Sequence, residues 1–355
     1  MKETEFSRKI TWFSFIFSVL VVWTHSFNAE LFLGDTVYGD RLNGIESLFG
    51  NLAAQIAVPG FFMISGYLFY RNFTWRRLGS KWMSRIRSVL VPYIVWNTLY
   101  YLAYAAGSRL PGITDLIGKG EIPFHLTAMA DAMVNHTYLY VFWYLYQLIL
   151  LILLAPVIYG LLKRPWTAAV YFAGLTAALW VGWDKTPLNG DALFYYSATA
   201  FLAMREEKPA EKEFSPKRRL AGAALMAVGA VSFWLAGRWG KPFFLVPCRF
   251  LAAAGLWLAV REDRLREPRP WMCCNFFLYA THFALVRLIN KSAAAAFHLF
   301  WPLHADPKLW PEGMIPLLLY LMMPVIAVTA SYWIGKCVKQ LCPPLFGLLN
   351  GGRAG

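Results

Sequence analysis

The feature that most constrains the fold is a series of long apolar runs separated by short loops. Crossing a bilayer takes a helix of roughly 20 mostly apolar residues. Charged residues make up only 15% of the chain, against about a quarter in soluble domains. The sequence therefore predicts an all-α polytopic membrane protein, a bundle of about ten transmembrane helices. The predicted spans are 10–33, 47–70, 88–106, 138–162, 165–183, 190–204, 220–237, 243–260, 271–291 and 314–335.

The distribution of Lys and Arg predicts the orientation. With the N-terminus on the cytoplasmic side, the cytoplasmic segments hold 24 Lys and Arg and the opposite loops hold eight. Loops rich in Lys and Arg stay in the cytoplasm, so both termini are expected there. Residues 107–136 and 298–313 are then expected outside and 205–219 inside. We predict one membrane domain over 1–340 and a short cytoplasmic tail over 341–355.

The net charge of +14 does not indicate a nucleic-acid partner, because the positive charge is spread over short loops between apolar runs. The expected surrounding partner is the lipid bilayer. No phosphate-binding Gly-rich loop, Gly-x-Ser-x-Gly elbow or Cys-x-x-Cys pair occurs. The five cysteines fall in apolar spans or near the predicted cytoplasmic face, so neither a disulfide framework nor a metal site is expected.

Polar residues inside the predicted spans are the candidate functional residues. Placing a polar side chain in hydrocarbon costs free energy, so such residues are rare and commonly functional. Ser18, His25 and Asn28 follow one stripe of the first span, with His25 expected in the outer half of the membrane. Packing between helices is the structural alternative for this stripe.

The second span contributes Asn51 and Gln55, which lie at a depth similar to that of His25. Pro59-Gly60 then interrupts the predicted helix, and Ser65 follows. Such a break either lines a cavity or is a simple kink.

Two later spans carry intramembrane cations and a second histidine. His282 is expected near the middle of the membrane, three residues after Tyr279. No carboxylate lies deep in these spans to pair with Arg249 or Arg287. Unpaired arginines there would indicate an anionic ligand or a water-filled cavity, and structural polar contacts are the alternative.

The second cytoplasmic segment, 71–87, holds six Lys and Arg and no acid. A loop that only sets topology is the simpler explanation. A phosphate-rich ligand would need the same composition, and Arg77, Arg85 and Arg87 are the candidate residues.

Several segments together resemble the acyltransferase-3 family of bacterial membrane O-acyltransferases. They are FIFSVLVVWTHSFNAELF (15–32), VPGFFMISGYLFY (58–70), KWMSRIRSVLVPYIVW (81–96), FWYLYQLILLILLAP (142–156) and YATHFAL (279–285). The fourth places Trp143 among the candidate cavity residues. Two positions depart from the family pattern: Ser14 stands where an Arg is common, and Phe142 where a His is frequent.

The resemblance implies transfer of an acyl group from cytoplasmic acyl-CoA to a hydroxyl of a cell-surface glycan, in the bacterial cytoplasmic membrane. The acyl group is expected to be acetyl, with succinyl left open. No permanently bound cofactor is expected, because acyl-CoA is the donor substrate. His25 is the first candidate for the general base, since a neutral imidazole suits that role, and His282 is the second.

Two other functions stay open at this point. One is a transporter or exporter of a glycan or lipid-linked intermediate, and the other is a non-catalytic membrane subunit. Against transport, the sequence has no visible internal repeat and no deep carboxylate for ion coupling.

Overall fold

Helices form nearly all of the regular structure. The computed structural model describes residues 1–111, 120–182, 187–301 and 313–353, and no strand occurs within these ranges. The all-α prediction is therefore confirmed for the described residues. The α-helices are α1 (Glu3–Thr24), α2 (Ala29–Leu33), α3 (Val37–Ser47), α4 (Ala57–Tyr70), α5 (Leu78–Arg85), α6 (Val91–Gly107), α7 (Leu126–Val134), α8 (Trp143–Leu153), α9 (Ala155–Leu162), α10 (Pro165–Trp180), α11 (Gly190–Ala203), α12 (Pro216–Trp239), α13 (Leu245–Ala259), α14 (Pro270–Cys273), α15 (Asn275–Phe300), α16 (Met314–Leu341) and α17 (Pro343–Leu349).

Every predicted span coincides with helical structure, but fewer helices meet the length expected of a membrane span. Within the described residues, six helical segments are long and apolar enough to cross a membrane, or seven if the segments Tyr140–Leu153 and Ala155–Leu162 are one broken span. Helices α4, α10 and α11 have only 14, 16 and 14 residues. The multi-pass character is thus confirmed, and the number ten stays a prediction. Parts of the predicted outer loops, 112–119, 183–186 and 302–312, lie outside the described residues.

The chain divides into two compact units. The first unit consists of 1–73 and 154–334, and the second of 74–153 and 335–355. The proposed division into one membrane domain and a tail stays a prediction.

The first unit is held together by apolar residues on the inner faces of its helices. One buried cluster joins α1 to α4 through Phe13, Phe17 and Ala57. Two others join α1 to α15 and α16, and α2 and α3 to α15. Glycine lets α12 and α13 approach closely, because a Cβ at Gly222 would lie 2.6 Å from the carbonyl oxygen of Gly255. Small residues at helix contacts are typical of membrane bundles, where close backbone approach replaces the hydrophobic effect as the source of association.

The break in the second predicted span lies upstream of Pro59-Gly60. A π-helical turn covers Leu48–Leu52 and a 3₁₀ turn covers Ala53–Ile56, and α4 then begins at Ala57. The prediction that Pro59 interrupts the helix is wrong, because it lies in the first turn of α4. Proline is tolerated there, since the first N–H groups of a helix have no intrahelical acceptor. Gly60 provides the space in which the Phe17 ring packs.

The second unit contains α5 to α8 and the C-terminal helix α17. A buried cluster of Tyr101, Ala105, Ile122 and Ala132 joins α6 to α7 and the segment before it. The indole Nε1 of Trp82 donates to the carbonyl oxygen of Ile152 at 2.9 Å, which ties α5 to α8. Helix α17 packs on α6, where Trp96 Nε1 donates to the carbonyl oxygen of Leu349 at 2.9 Å.

Candidate functional site

The two histidines that the sequence singled out are neighbours in the first unit. Helix α1 ends at Thr24, and the backbone N–H of His25 closes its last turn by donating to the carbonyl oxygen of Val22 at 3.0 Å. His282 lies on α15 and is fully buried. The ring centroids of His25 and His282 are 5.4 Å apart. The edge of Phe283 packs against the His25 ring with a centroid separation of 6.0 Å, so an apolar wall flanks the pair.

The tautomer of His282 follows from its hydrogen bond. Its Nδ1 lies 2.6 Å from the carbonyl oxygen of Tyr279. A carbonyl oxygen only accepts, so Nδ1 carries a proton, and in the neutral ring Nε2 is the acceptor. That Nε2 is buried and has no hydrogen-bond partner among the described protein atoms. A buried acceptor without a donor is unfavourable, so Nε2 is a natural point for a substrate hydroxyl or a proton.

The backbone after His25 is held by buried polar side chains from other helices. Asn290 on α15 donates through Nδ2 to the carbonyl oxygen of Ser26 at 3.2 Å. Asn28 donates through Nδ2 to the carbonyl oxygen of Pro316 on α16, also at 3.2 Å. These bonds fix the turn between α1 and α2, and that turn sets the position of His25.

A buried carboxyl group, that of Glu46 on α3, also contacts this turn. Its oxygens accept the backbone N–H of Asn28 at 3.1 and 3.2 Å and that of Ala29 at 3.3 Å. Tyr320 donates from its hydroxyl to the Glu46 carbonyl oxygen at 2.9 Å. Burial raises the pKa of Glu46 to about 7, although the two backbone N–H groups oppose that shift. Glu46 therefore titrates near neutral pH while holding the turn after His25.

Glu46 and Asn290 are not among the site residues that the sequence predicts. Asn290 lies eight residues after His282, on the apolar span 271–291, so its polar character within a span was a usable signal. Glu46 comes one residue before the predicted second span, outside the segments in which polar residues are candidates. No local pattern marks it, because its partners are backbone groups 17 and 18 residues away in sequence.

The other polar residues of the first two spans lie in different surroundings. The Ser18 hydroxyl donates to the Ser14 carbonyl oxygen of its own helix at 2.9 Å. Asn51 is exposed. Ser65 is half-buried on α4.

Arg249 is paired, contrary to the sequence-based expectation. Its Nε donates to Gln55 Oε1 at 2.8 Å, and its Nη1 lies 3.2 Å from Asp191 Oδ2. The expectation was wrong because Asp191, placed at the outer end of a short predicted span, reaches Arg249 on α13. Arg249 therefore has structural polar contacts, and its role as a cavity residue stays a prediction. Arg287 is exposed on α15, with its guanidinium 5.3 Å from the centroid of the Phe283 ring.

The predicted donor-binding residues belong to the second unit. Arg85 ends α5 and is half-buried, whereas Arg77 and Arg87 are exposed. Trp143 begins α8 and is 38% exposed. Of the three arginines, Arg85 alone combines positive charge with partial removal from water, and a guanidinium in that setting binds anions more strongly than one in bulk solvent.

The chain is similar to known proteins along most of its length. A family model described as "Acyltransferase domain" matches residues 9–336, a range that includes both histidines and the three arginines. The succinoglycan biosynthesis protein ExoH of Rhizobium meliloti (strain 1021) is 24% identical over 348 residues, which cover 91% of this chain and 85% of that protein. No solved structure matches the chain.

Proposed function

The chain belongs to the acyltransferase family whose model covers residues 9–336, and on that premise we propose that it transfers an acyl group from cytoplasmic acyl-CoA to a hydroxyl of a cell-surface glycan. The membrane helices and the family make it a membrane acyltransferase. The similarity to a succinoglycan biosynthesis protein supports a polysaccharide acceptor. The observation that carries the proposal is the adjacency of His25 and His282, with their ring centroids 5.4 Å apart.

In the proposed reaction His25 is the general base. It removes the proton from the acceptor hydroxyl while the hydroxyl oxygen attacks the carbonyl carbon of the thioester. The new C–O bond forms, the C–S bond breaks, and the imidazolium returns the proton to the departing thiolate, so CoA leaves as the free thiol. A positioned base of this kind contributes about 10²–10⁴-fold in rate.

His282 is proposed to assist from the neighbouring position. Its protonated Nδ1 is committed to the Tyr279 carbonyl oxygen, which leaves Nε2 able to accept a hydrogen bond from the acceptor hydroxyl or from His25. A second acceptor beside the base orients the substrate and gives the proton an alternative position. The buried Phe283 wall excludes water from the same side, which favours transfer over hydrolysis.

The donor is proposed to bind through the cations of the second unit, with Arg85 as the principal contact because it is the half-buried one. Phosphates favour guanidinium groups, which make two parallel hydrogen bonds to them. Acetyl is the first acyl group to test and succinyl the second.

Two measurements test this function. The first compares ester groups on the surface glycans of a deletion strain, the same strain carrying the wild-type gene, and the same strain carrying His25→Ala. We expect ester loss on deletion, recovery with wild type and no recovery with the variant at equal expression.

The second measurement follows release of free CoA from acetyl-CoA and succinyl-CoA by purified protein, which separates an acyltransferase from an exporter. Glycans that keep their esters in the deletion strain would contradict the proposal.

A further inference from the structure

The two asparagines beside the His25 turn have side-chain oxygens that no donor satisfies. Asn28 and Asn290 are only 2% and 4% exposed. Each side-chain nitrogen is identified by its partner, since the carbonyl oxygens of Pro316 and Ser26 only accept. The other atom of each amide, Oδ1, is therefore the acceptor, and neither Oδ1 has a hydrogen-bond partner among the described protein atoms.

These two oxygens belong to a set of buried polar atoms close to the histidine pair. Asn290 Nδ2 lies 3.2 Å from the carbonyl oxygen of Ser26, the residue directly after His25. In the part of the chain that the structure describes, His282 Nε2 is a third buried acceptor without a donor, and Trp23 Nε1 is a buried donor without an acceptor. Buried polar atoms are nearly always hydrogen-bonded, so four of them on this turn and the helix packed against it indicate a bound polar ligand or water.

The balance of acceptors and donors in this set selects the chemistry of the ligand. Three of the four atoms accept and one donates. An ionised phosphate or carboxylate has only acceptor oxygens, so it could satisfy only the indole N–H. A sugar hydroxyl donates one hydrogen bond and accepts others, so it can satisfy atoms of both kinds. The set therefore favours an uncharged ligand that carries hydroxyl groups, and water alone is the alternative that an experiment must separate.

The place of Asn290 on its helix agrees with the side from which a glycan is expected to arrive. Asn290 comes eight residues after His282 on α15, about 12 Å farther along the helix axis. Positions eight apart fall on one face of a helix. With the orientation predicted from Lys and Arg, α15 runs outward. An acceptor approaching His282 from the outer side would therefore reach Asn290 first.

We propose that Asn290 and Asn28 bind uncharged hydroxyl groups of the acceptor glycan through their Oδ1 atoms and so position the hydroxyl that His25 deprotonates. This inference rests on the proposed function and extends it, because it assigns an acceptor subsite and the class of group that the subsite recognises. Each asparagine then has two tasks. Its nitrogen bonds to the protein backbone, which fixes the direction of the amide, and its oxygen accepts from the substrate.

The first measurement is the KM for the acceptor in acyl transfer. The probe is an oligosaccharide fraction prepared from the surface glycan of the deletion strain and freed of remaining esters by mild base. Asn290→Leu and Asn28→Leu keep a side chain of similar size and remove its polar atoms. Each should raise the KM for the oligosaccharide about 2- to 12-fold, which corresponds to one hydrogen bond of about 0.5–1.5 kcal/mol between uncharged groups. The KM for acyl-CoA should stay unchanged.

Asn97→Leu is the matched control. Asn97 is buried on α6 in the second unit, and its Nδ2 also donates to a backbone carbonyl oxygen, that of Tyr93, at 2.8 Å. Its oxygen does not belong to the set of buried atoms without a partner. We expect a wild-type KM for the oligosaccharide. A rise as large as that of Asn290→Leu would show that loss of any buried asparagine has this effect, and the assignment would be overturned.

The ratio of acyl transfer to acyl-CoA hydrolysis separates a binding role from a structural one. Hydrolysis, measured as CoA release without oligosaccharide, uses water as the acceptor, so it needs His25 but no glycan contact. If Asn290 only held the His25 turn, Asn290→Leu would lower both rates by one factor, and an unchanged ratio would refute the proposal. We expect the ratio at low oligosaccharide concentration to fall about 2- to 12-fold. Where hydrolysis is too slow to follow, the oligosaccharide should raise the melting temperature of Asn290→Leu less than that of wild type.

The remaining outcomes distinguish this inference from the proposed function. A rise in KM that disappeared at high salt would show that ionic contacts carry the recognition, and would overturn the assignment. If wild type transfers acyl groups and both leucine variants keep its KM and its ratio, the two oxygens bind water alone, the subsite is refuted and the acyltransferase proposal stands. If wild type neither transfers acyl groups nor releases CoA, the proposed function falls and this inference falls with it.

Discussion

The rings of His25 and His282 lie 5.4 Å apart, centroid to centroid, and are inclined to each other by 36°. From sequence the two residues are rival candidates for one role, because each is a histidine inside an apolar span. Their adjacency allows both to act in one reaction. The Nδ1 proton of His282 is donated to the Tyr279 carbonyl oxygen, so Nε2 is the ring nitrogen that can accept a proton or a hydrogen bond.

The first prediction concerns this pair. His25→Ala should lower acyl transfer by about 10²–10⁴-fold, the contribution of a general base, with little change in the KM for acyl-CoA. His282→Ala should lower it by less, and the double variant should be no worse than His25→Ala alone, because residues that act as a unit are not additive. The measurement is the initial rate of acyl transfer at saturating donor. His298→Ala on the same helix is the control and should keep normal activity. If the fold-losses in transfer rate of the two single variants multiplied in the double variant, the histidines would act independently, and a shared proton path would be contradicted.

The second prediction concerns Glu46, which accepts two backbone N–H groups from the turn after His25. Glu46→Ala leaves both donors buried without an acceptor, so we expect a loss of kcat through displacement of His25 and little change in the KM for acyl-CoA. Glu46→Gln keeps one acceptor oxygen and should recover part of kcat. Equal kcat in wild type and Glu46→Ala would show that the turn is held without Glu46.

The titration of Glu46 gives the third prediction. Burial raises its pKa from the ordinary 4.5 to about 7, so the folded protein favours the neutral acid. The protonated carboxyl group therefore adds to the free energy of unfolding below pH 4.5, and this contribution is lost as pH rises through about 7. The free energy of unfolding falls by at most about 3 kcal/mol across this window. Melting temperatures of wild type should therefore fall across this window, and Glu46→Gln should lack that part of the slope. An identical slope in both proteins would assign the pH dependence elsewhere.

Much of this architecture was predictable from the sequence, and the reasons are physical. Hydrophobic runs mark helices reliably because a bilayer requires length and apolarity in one continuous segment. Breaks within runs are harder to place: the second span breaks at Leu48–Ile56 and not at Pro59, since proline disrupts only a helix interior. The turn that ends α1 at Thr24 is also invisible as periodicity, because apolar residues continue on both sides of it.

The candidate site was predictable only in part. His25 and His282 could be named because ionisable residues in spans are rare, but their adjacency depends on how α1 packs against α15. Arg249 shows the opposite outcome: its pairing with Asp191 and Gln55 is a long-range relationship that no spacing encodes.

The fourth prediction tests the orientation. In a background lacking the five native cysteines, Phe124→Cys should react with an impermeant thiol reagent on intact cells, and Lys217→Cys should react only after the cells are opened. Both positions are exposed, so side-chain access is matched. The asymmetry of Lys and Arg predicts that residues 107–136 lie outside and 205–219 inside. The reverse labelling pattern would invert the assignment of both termini.

The fifth prediction concerns the ion pair between Lys9 and Glu262, which joins α1 to the predicted cytoplasmic loop after α13. The two side chains are only 4% and 6% exposed, with Lys9 Nζ 3.5 Å from Glu262 Oε2. Lys9 also donates to the Val260 carbonyl oxygen at 2.7 Å, and Glu262 accepts the backbone N–H of Phe214 at 2.6 Å. The pair therefore ties three segments together at one point.

Removing one partner leaves the other charge buried without a counter-charge, which strongly destabilises the folded protein. Glu262→Gln should destabilise the protein by about 3–5 kcal/mol, whereas replacing both residues with apolar ones of similar volume, Lys9→Met with Glu262→Leu, should restore much of that loss. The exposed pair Lys212–Glu207, at 50% and 79% side-chain exposure, is the control, and Lys212→Ala should change stability by no more than about 1 kcal/mol. Unfolding in mixed detergent and SDS, followed by Trp fluorescence, measures all four proteins. If Glu262→Gln and Lys212→Ala had equal effects, the buried pair would contribute no more than a surface one, and the anchoring of α1 would have to come from its apolar face alone.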